Sequence, residues 1–190
     1  FINKTKRSYS IQVFDSKSIT RLHFDAYAYI HHKAVGCITH PKRTFDLQYE
    51  MIKASKASLV CISHGERYLA FAFFINSTTS AYYSSGAEDP EIKTDVPLGP
   101  AMQWTAIEHY QKLGVRYIEL DNQYFAPSLY DSPSTKEISI SFFKRGFGGS
   151  ITPLFRGIKY YDKSLMVKEL DLLKENLIDN YFAQDSNNYD

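Results

Sequence analysis

Cysteine is scarce in this chain. Cys37 and Cys61 are the only two, too few for a disulfide scaffold and in keeping with a reducing compartment. Long apolar runs are missing as well. None approaches the ~20 residues needed to cross a bilayer, and no signal-peptide pattern is present, so a cytoplasmic location without a transmembrane segment is expected. Charge of one sign is not in excess: 22 Lys and Arg stand against 21 Asp and Glu, a net charge of +1. Bulk electrostatics therefore imply no general attraction to DNA or to a membrane surface, and any anion site must be local. What the chain does have is 44% hydrophobic and 15% aromatic residues over 190 positions, enough to bury a substantial core and to exclude disorder. It opens on Phe1 rather than Met, as a piece of a longer chain would. The triplets Asn3-Lys4-Thr5 and Asn76-Ser77-Thr78 have the form of glycosylation acceptors, but without a secretory signal they read as chance matches.

Periodicity gives an order of elements. Ile11 to Phe14 reads as a short strand. A helix capped by Ser16 or Ser18 follows, with Ile19, Leu22, Ala26 and Ile30 at helical spacing. A second helix runs from Phe45 to Ser55. Three strands come in quick succession, at Ala57 to Ser63, Tyr68 to Ile75 and Ser80 to Ser85, joined by turns short enough for hairpins. Tyr68 to Ile75 is apolar on both faces and is expected at the centre of the sheet. After a Pro-rich loop, a helix carries Met102, Ala106, Ile107, Tyr110 and Leu113 and stops at Gly114. Then come a strand over Val115 to Asp121, a Pro/Ser-rich loop, a helix containing Lys144, a strand over Ile151 to Tyr161, and a last helix with Met166, Leu170, Leu173, Leu177 and Tyr181 on its seam. The expectation is an α/β (α+β) fold, a mixed sheet with helices on its faces, in one domain over residues 1–183 with a polar tail over 184–190.

The segment Ser139-Ile-Ser-Phe-Phe-Lys-Arg-Gly-Phe-Gly-Gly149 combines aromatic rings, a Lys-Arg pair and three glycines at a helix end. Ile138 and Phe142 lie four apart and are expected on a buried face, with Gly146 as the left-handed stop. A helix stop and a turn account for the pattern by themselves. The functional reading notes that Lys144 sits beside glycine backbone able to approach a ligand closely.

Together with Tyr82-Tyr83-Ser84-Ser85-Gly86-Ala87, with Trp104-Thr-Ala-Ile107 and Gly114, and with Lys136-Glu137, this segment resembles the FemAB branch of the GNAT acyltransferase superfamily. The resemblance spans roughly Ile11 to Tyr161, and its most specific piece is the Phe-Lys-x-x-Phe-Gly-Gly pattern over residues 143–149. It implies a GNAT-like, mostly antiparallel central sheet and transfer of an activated acyl group to an amine. In the best-known members the donor is an aminoacyl-tRNA and the acceptor a peptidoglycan precursor. It implies a contact from Lys144 to phosphate or to the oxyanion of the tetrahedral carbonyl, with Phe147 and Gly148 beside it as binding residues. Two departures stand out. The familiar bridge enzymes have two such domains, whereas one is expected here. The loop that holds pyrophosphate in acyl-CoA members corresponds to Lys93-Thr-Asp-Val-Pro-Leu-Gly-Pro-Ala101, where Pro97 and Pro100 remove two N–H donors.

Acyl transfer requires an amine that loses its proton and a carbonyl whose developing charge is stabilised. Tyr82 and Tyr83 point to opposite faces of a strand, and Tyr83 is taken for the cleft, where its phenol donates to an oxyanion or a ribose. Asp121, at the carboxyl end of its strand, is placed to orient or deprotonate the amine; a strand-end turn residue is the competing reading. Lys136 opposes the dipole at the start of its helix, which suggests a ligand or a carboxylate partner. His31 and His32, with Arg43 in the basic loop after them, lie on what the resemblance makes the acceptor side. Cys37 and His40 have Cys-x-x-His spacing without a second pair, so no metal is expected. The Gly-x-Ser-x-Gly pattern is absent, and covalent catalysis is not supported. The expected activity is N-acyl or aminoacyl transfer, without a bound cofactor, from aminoacyl-tRNA or acyl-CoA to a cell-wall, polysaccharide or small-molecule amine. The alternatives are an acyl-CoA-dependent N-acetyltransferase and a non-catalytic domain that binds an anionic ligand or partner.

Overall fold

In the computed structural model, which describes residues 1–38 and 40–185 (the side chains of 183–185 excepted), a five-stranded sheet carries helices on both faces. The strands are β1 (Ser10–Phe14), β2 (Ala57–His64), β3 (Arg67–Asn76), β4 (Ser80–Glu88) and β5 (Tyr117–Glu119), in the spatial order β1-β2-β3-β4-β5. The first four pair antiparallel, and β5 joins β4 in parallel. β3 lies at the centre, as its two apolar faces require. The helices of this unit are α1 (Ile2–Ser8), α2 (Arg21–Val35), α3 (Lys42–Lys53) and α4 (Gly99–Lys112). The chain divides into two compact units, the first running from Phe1 to Asp121 and the second from Asn122 onward.

The two faces of the sheet bury different side chains. Phe71 and Phe73 of β3 pack with Phe24, Tyr27 and Ile30 of α2 and with Phe45 and Ile52 of α3. The even-numbered β3 residues Ala70, Ala72 and Phe74 pack with Ala101, Met102, Ala106 and Tyr110 of α4. This is the period-2 alternation of a strand buried on both sides.

Helix boundaries follow local chemistry, with some corrections to the sequence reading. α2 is capped by Thr20, not by Ser16 or Ser18: its side chain accepts from the His23 N–H while the His23 ring accepts from Thr20. The buried stripe of α2 is Phe24, Tyr27, Ile30 and His31, whereas Leu22 is exposed, because α2 turns its aromatic residues to the sheet. α1 was not anticipated; its Lys6 bridges to Glu108 of α4 at 2.8 Å. β5 is shorter than Val115 to Asp121, bounded by Gly114 at φ 76° and by Asp121 at φ 67°, two left-handed residues that turn the chain.

In the second unit, α5 (Thr135–Arg145) starts on a capping box formed by Ser134 and Glu137. Phe142 is exposed, while Ser141 and Lys144 are buried, so the inward face of α5 is not the one that pairs Ile138 with Phe142. Gly146 is right-handed at φ −61°; the left-handed residues are Gly148 and Gly149. Ile151 to Tyr161 forms no strand. Pro153 removes an N–H near the start of the run, and Leu154 and Phe155 stay exposed. α6 (Lys163–Asp185) follows, with Met166, Leu170, Leu173 and Leu177 half-buried along one stripe and Tyr181 exposed. The expected tail over 184–190 lies outside the described residues from position 186 onward.

Candidate active site

β4 is two half-strands joined at a bulge. Its pairing with β3 skips Ser84: Tyr83 sits opposite Phe74, and Ser85 opposite Phe73. One extra residue resets the alternation of faces. Before the bulge, Ala81 and Tyr83 face α4. After it, Ser85 faces α2, where its hydroxyl bonds that of Tyr27 at 2.6 Å, and Ala87 joins the same aromatic core. Gly86 and Glu88 therefore turn to the α4 side. β5 accompanies β4 only from Ser80 to Tyr82. From Tyr83 onward, β4 has no strand on that edge among the described residues. The Asp89 N–H donates to Leu69 of β3 at 2.8 Å, so by alternation the N–H groups of Gly86 and Glu88 point to the strandless side.

Three side chains stand at this edge. The Tyr83 hydroxyl lies against Gly86 on the side where a Cβ would project, which makes residue 86 a position only glycine fits without displacing the phenol. The side chain of Gln103, buried on α4, acts on that hydroxyl to lower its pKa, while its Oε1 has no hydrogen-bond partner among the described residues. Burial, and then the negative charge of Glu88, raise the Tyr83 pKa, so the proton stays on the oxygen at neutral pH. Glu88 ends β4. Burial pushes its carboxyl upward, and an N–H bond from Gly99 partly offsets this. Glu88 itself is exposed.

A frame of ion pairs fixes the chain just after Glu88. Asp89 is buried and bonds Lys33 at 2.7 Å and Arg67 at 3.3 Å, while Lys33 also bonds Glu91 at 2.7 Å. The Lys33 bond comes first in holding the Asp89 carboxyl below its ordinary pKa. Asp95 bonds Lys4 at 2.8 Å.

The sequence-derived candidates fall in several places. Tyr83 is at the edge just described. Asp121 pairs with Tyr82, whose phenol donates to it and whose pKa rises through burial and that carboxylate. His31 is a buried residue of the aromatic face, with ring contacts to Tyr27, His32, His40 and Phe45. Burial, followed by the neighbouring His32 and His40, lowers its pKa. Arg43 is exposed on the first turn of α3. In the second unit, Lys144 is 8% exposed on α5, Lys136 is exposed on its first turn, and Phe147 stacks edge-to-face on Phe143 at 5.1 Å. Gly148 has φ 78°. The sequence reading missed Glu88 because it ended the strand at Ser85. It missed Gln103 because that residue was not set on the buried stripe, although 103, 106 and 110 share one helical face. Among the described residues no group of three or more His, Cys, Asp or Glu is placed to hold a metal ion, and no helix is long and apolar enough to cross a membrane.

The family follows from comparison with known proteins. Residues 20–122, more than half of the chain, match the family model described as the acetyltransferase (GNAT) domain. The chain belongs to the GNAT acetyltransferase family. No curated protein sequence matches it. Solved structures place it among GNAT folds at low identity. An aminoglycoside acetyltransferase from an uncultured soil metagenomic sample, in complex with sisomicin, is 8% identical with a TM-score of 0.59, over 83% of this chain and 99% of that one. The ribosomal-protein-alanine N-acetyltransferase of Brucella melitensis biovar Abortus is 7% identical with a TM-score of 0.55, over 80% and 99%. The aminoglycoside N-acetyltransferase AAC(6')-Iy in complex with CoA is 14% identical with a TM-score of 0.54, over 82% and 95%. At these identities the likeness is one of fold. At the start of α4, Pro97 and Pro100 carry no N–H and Leu98 supplies no side-chain cap.

Proposed function

We propose that this GNAT protein transfers an acyl group from an activated ester or thioester to a primary amine at the strandless edge of β4. The observation that carries the reading is the Tyr83 hydroxyl, set beside Gln103 and over Gly86. The amine nitrogen attacks the acyl carbonyl, and the oxygen that becomes negative is met by the Tyr83 O–H and the Gly86 N–H. Such donors, fixed before the charge appears, supply much of the acceleration in acyl transfer. Glu88 takes the proton of the attacking nitrogen. A carboxyl raised above its ordinary pKa is a better base near neutrality than a free glutamate. Collapse of the tetrahedral intermediate expels the alcohol or thiol of the donor.

The finer reading takes aminoacyl-tRNA as donor and a cell-wall precursor as acceptor. It is supported by the FemAB-like residues 143–149.

The test is a mass-spectrometric assay of amine acylation. Acetyl-CoA and an aminoacyl-tRNA serve as donors; an aminoglycoside, a polyamine and a peptidoglycan precursor serve as acceptors. A donor-dependent mass gain that falls about 10²–10³-fold in Tyr83→Phe, the scale of one oxyanion donor, supports the assignment. The acid limb of kcat/KM should lie above the ordinary glutamate range and vanish in Glu88→Gln. Absence of transfer with every pair, or transfer indifferent to Tyr83→Phe, overturns it.

A further inference from the structure

α6 is apolar on more than one side. Met166, Leu170, Leu173 and Leu177 form its half-buried stripe. Across the helix from them, Leu165, Leu172 and Phe182 are 58%, 57% and 66% exposed. Intervals of three and four residues align these three with Lys168, Glu175 and Asp179 in one outward stripe, and all six are exposed. A groove on this side is walled by α6 alone, with Lys168, Leu172 and Glu175 in its lining. A helix that needs only one core leaves its far side to polar residues; apolar side chains all round mark a helix covered on both sides. We propose that the outward stripe of α6 is a self-association surface, on which a second copy of this chain lays its own α6 antiparallel.

Charge along the stripe selects both the partner and its direction. Lys168 stands near the start of α6, whereas Glu175 and Asp179 stand in its second half. In an antiparallel pair centred between Leu173 and Lys174, each Lys168 lies opposite Asp179 of the other copy, with Glu175 one turn away. Leu165 then meets Phe182 at both ends, and the two Leu172 residues flank the symmetry axis. Every contact occurs twice, as a two-fold interface requires. Parallel pairing would instead set Lys168 against Lys168 and Asp179 against Asp179, and like charges across a helix pair disfavour it. This surface is independent of the acyl-transfer reading.

The experiment is sedimentation equilibrium of the whole chain, from about 1 µM to about 1 mM, a span that brackets moderate to weak association. Wild type is compared with Lys168→Glu, with Asp179→Lys and with the double variant that exchanges the two charges. Far-UV circular dichroism verifies that each is folded. The expected result is a wild-type mass that rises to two chains. Each single variant turns two attractive pairs into repulsive ones and should dimerise about tenfold or more weakly, and the double variant should recover wild-type association. A wild type that stays monomeric over the whole range overturns the proposal. So do single variants that associate as tightly as wild type, since a parallel pair or another face would give that result, and so does a double variant that fails to recover.

Discussion

The two faces of the central sheet solve different problems with the same strand. Toward α2 and α3, β3 presents Phe71 and Phe73 to Phe24, Tyr27 and Phe45, a layer of rings in edge-to-face and stacked contact. Toward α4 it presents Phe74 to Tyr83 and Tyr110, and Ala70 and Ala72 to a helix face that includes Ala101 and Ala106. Polar groups are set into that second face, including Ser58 bonded to Tyr110 at 2.7 Å and Gln103 beside Tyr83. The aromatic face supplies apolar burial. The alanine face gives up some of that burial and keeps the backbone near reactive groups. The aromatic core and the candidate site are thus set on opposite faces of one sheet.

Four substitutions probe the division. The largest expected effect is on the aromatic face. Phe71→Ala removes a fully buried ring and should cost about 3–5 kcal/mol in denaturant unfolding, with acylation per folded molecule little changed. A comparable loss of activity would abolish the distinction between the faces. On the other side, Gly86→Ala pushes a methyl group against the Tyr83 phenol. It should cost about 1–3 kcal/mol as overpacking while lowering kcat more than KM, which steady-state kinetics would resolve. Tyr110→Phe leaves the buried Ser58 hydroxyl short of a partner and should cost about 1–3 kcal/mol, measurable as a lower Tm. Thr20→Ala, remote from both faces, should remove about 1 kcal/mol of capping energy from α2 and leave turnover unaltered.

The Lys33–Asp89–Arg67 frame adds a pH dependence. The folded pKa of Asp89 is depressed, chiefly by its bond to Lys33. Its contribution to stability is therefore fully present above the unfolded value near 3.9 and is lost as pH falls through the lower folded value. Asp89→Asn should flatten the acid limb of the stability curve and leave its slope above pH 6 untouched. An unchanged acid limb would mean that the frame does not hold Asp89 in solution.

The strands of the sheet were legible because their patterns are local. β2 and β3 read as apolar runs of the right length, and the central place of β3 followed from its two apolar faces. The face of α2 was not legible. Leu22 and Ala26 fit the helical period as well as Phe24 and Tyr27, and only packing against Phe71 and Phe73 decides between them. Ile151 to Tyr161 has the composition of a strand, but pairing is a property of two chains of residues, and nothing in one segment reveals its partner. Tyr83 could be picked from alternation. Gln103 and Glu88 meet it through a bulge at Ser84 that no residue pattern announces. Lys144 shows the opposite case: the motif singled it out, and its burial on α5 is a property that helical spacing assigned to Phe142.

The bulge also gives β4 something like a reading frame. Ahead of Ser84 the odd positions address α4; behind it the even ones do. Loss of that one residue would merge the two frames. With Ser84 gone, Tyr83 opposite Phe74 and Ser85 opposite Phe73 would follow one another directly, and Tyr83, Gly86 and Glu88 would keep the α4 side in unbroken alternation. The sheet would keep its pairing and the three residues their side; what the bulge adds is a local bend and one residue of chain between the phenol and the glycine.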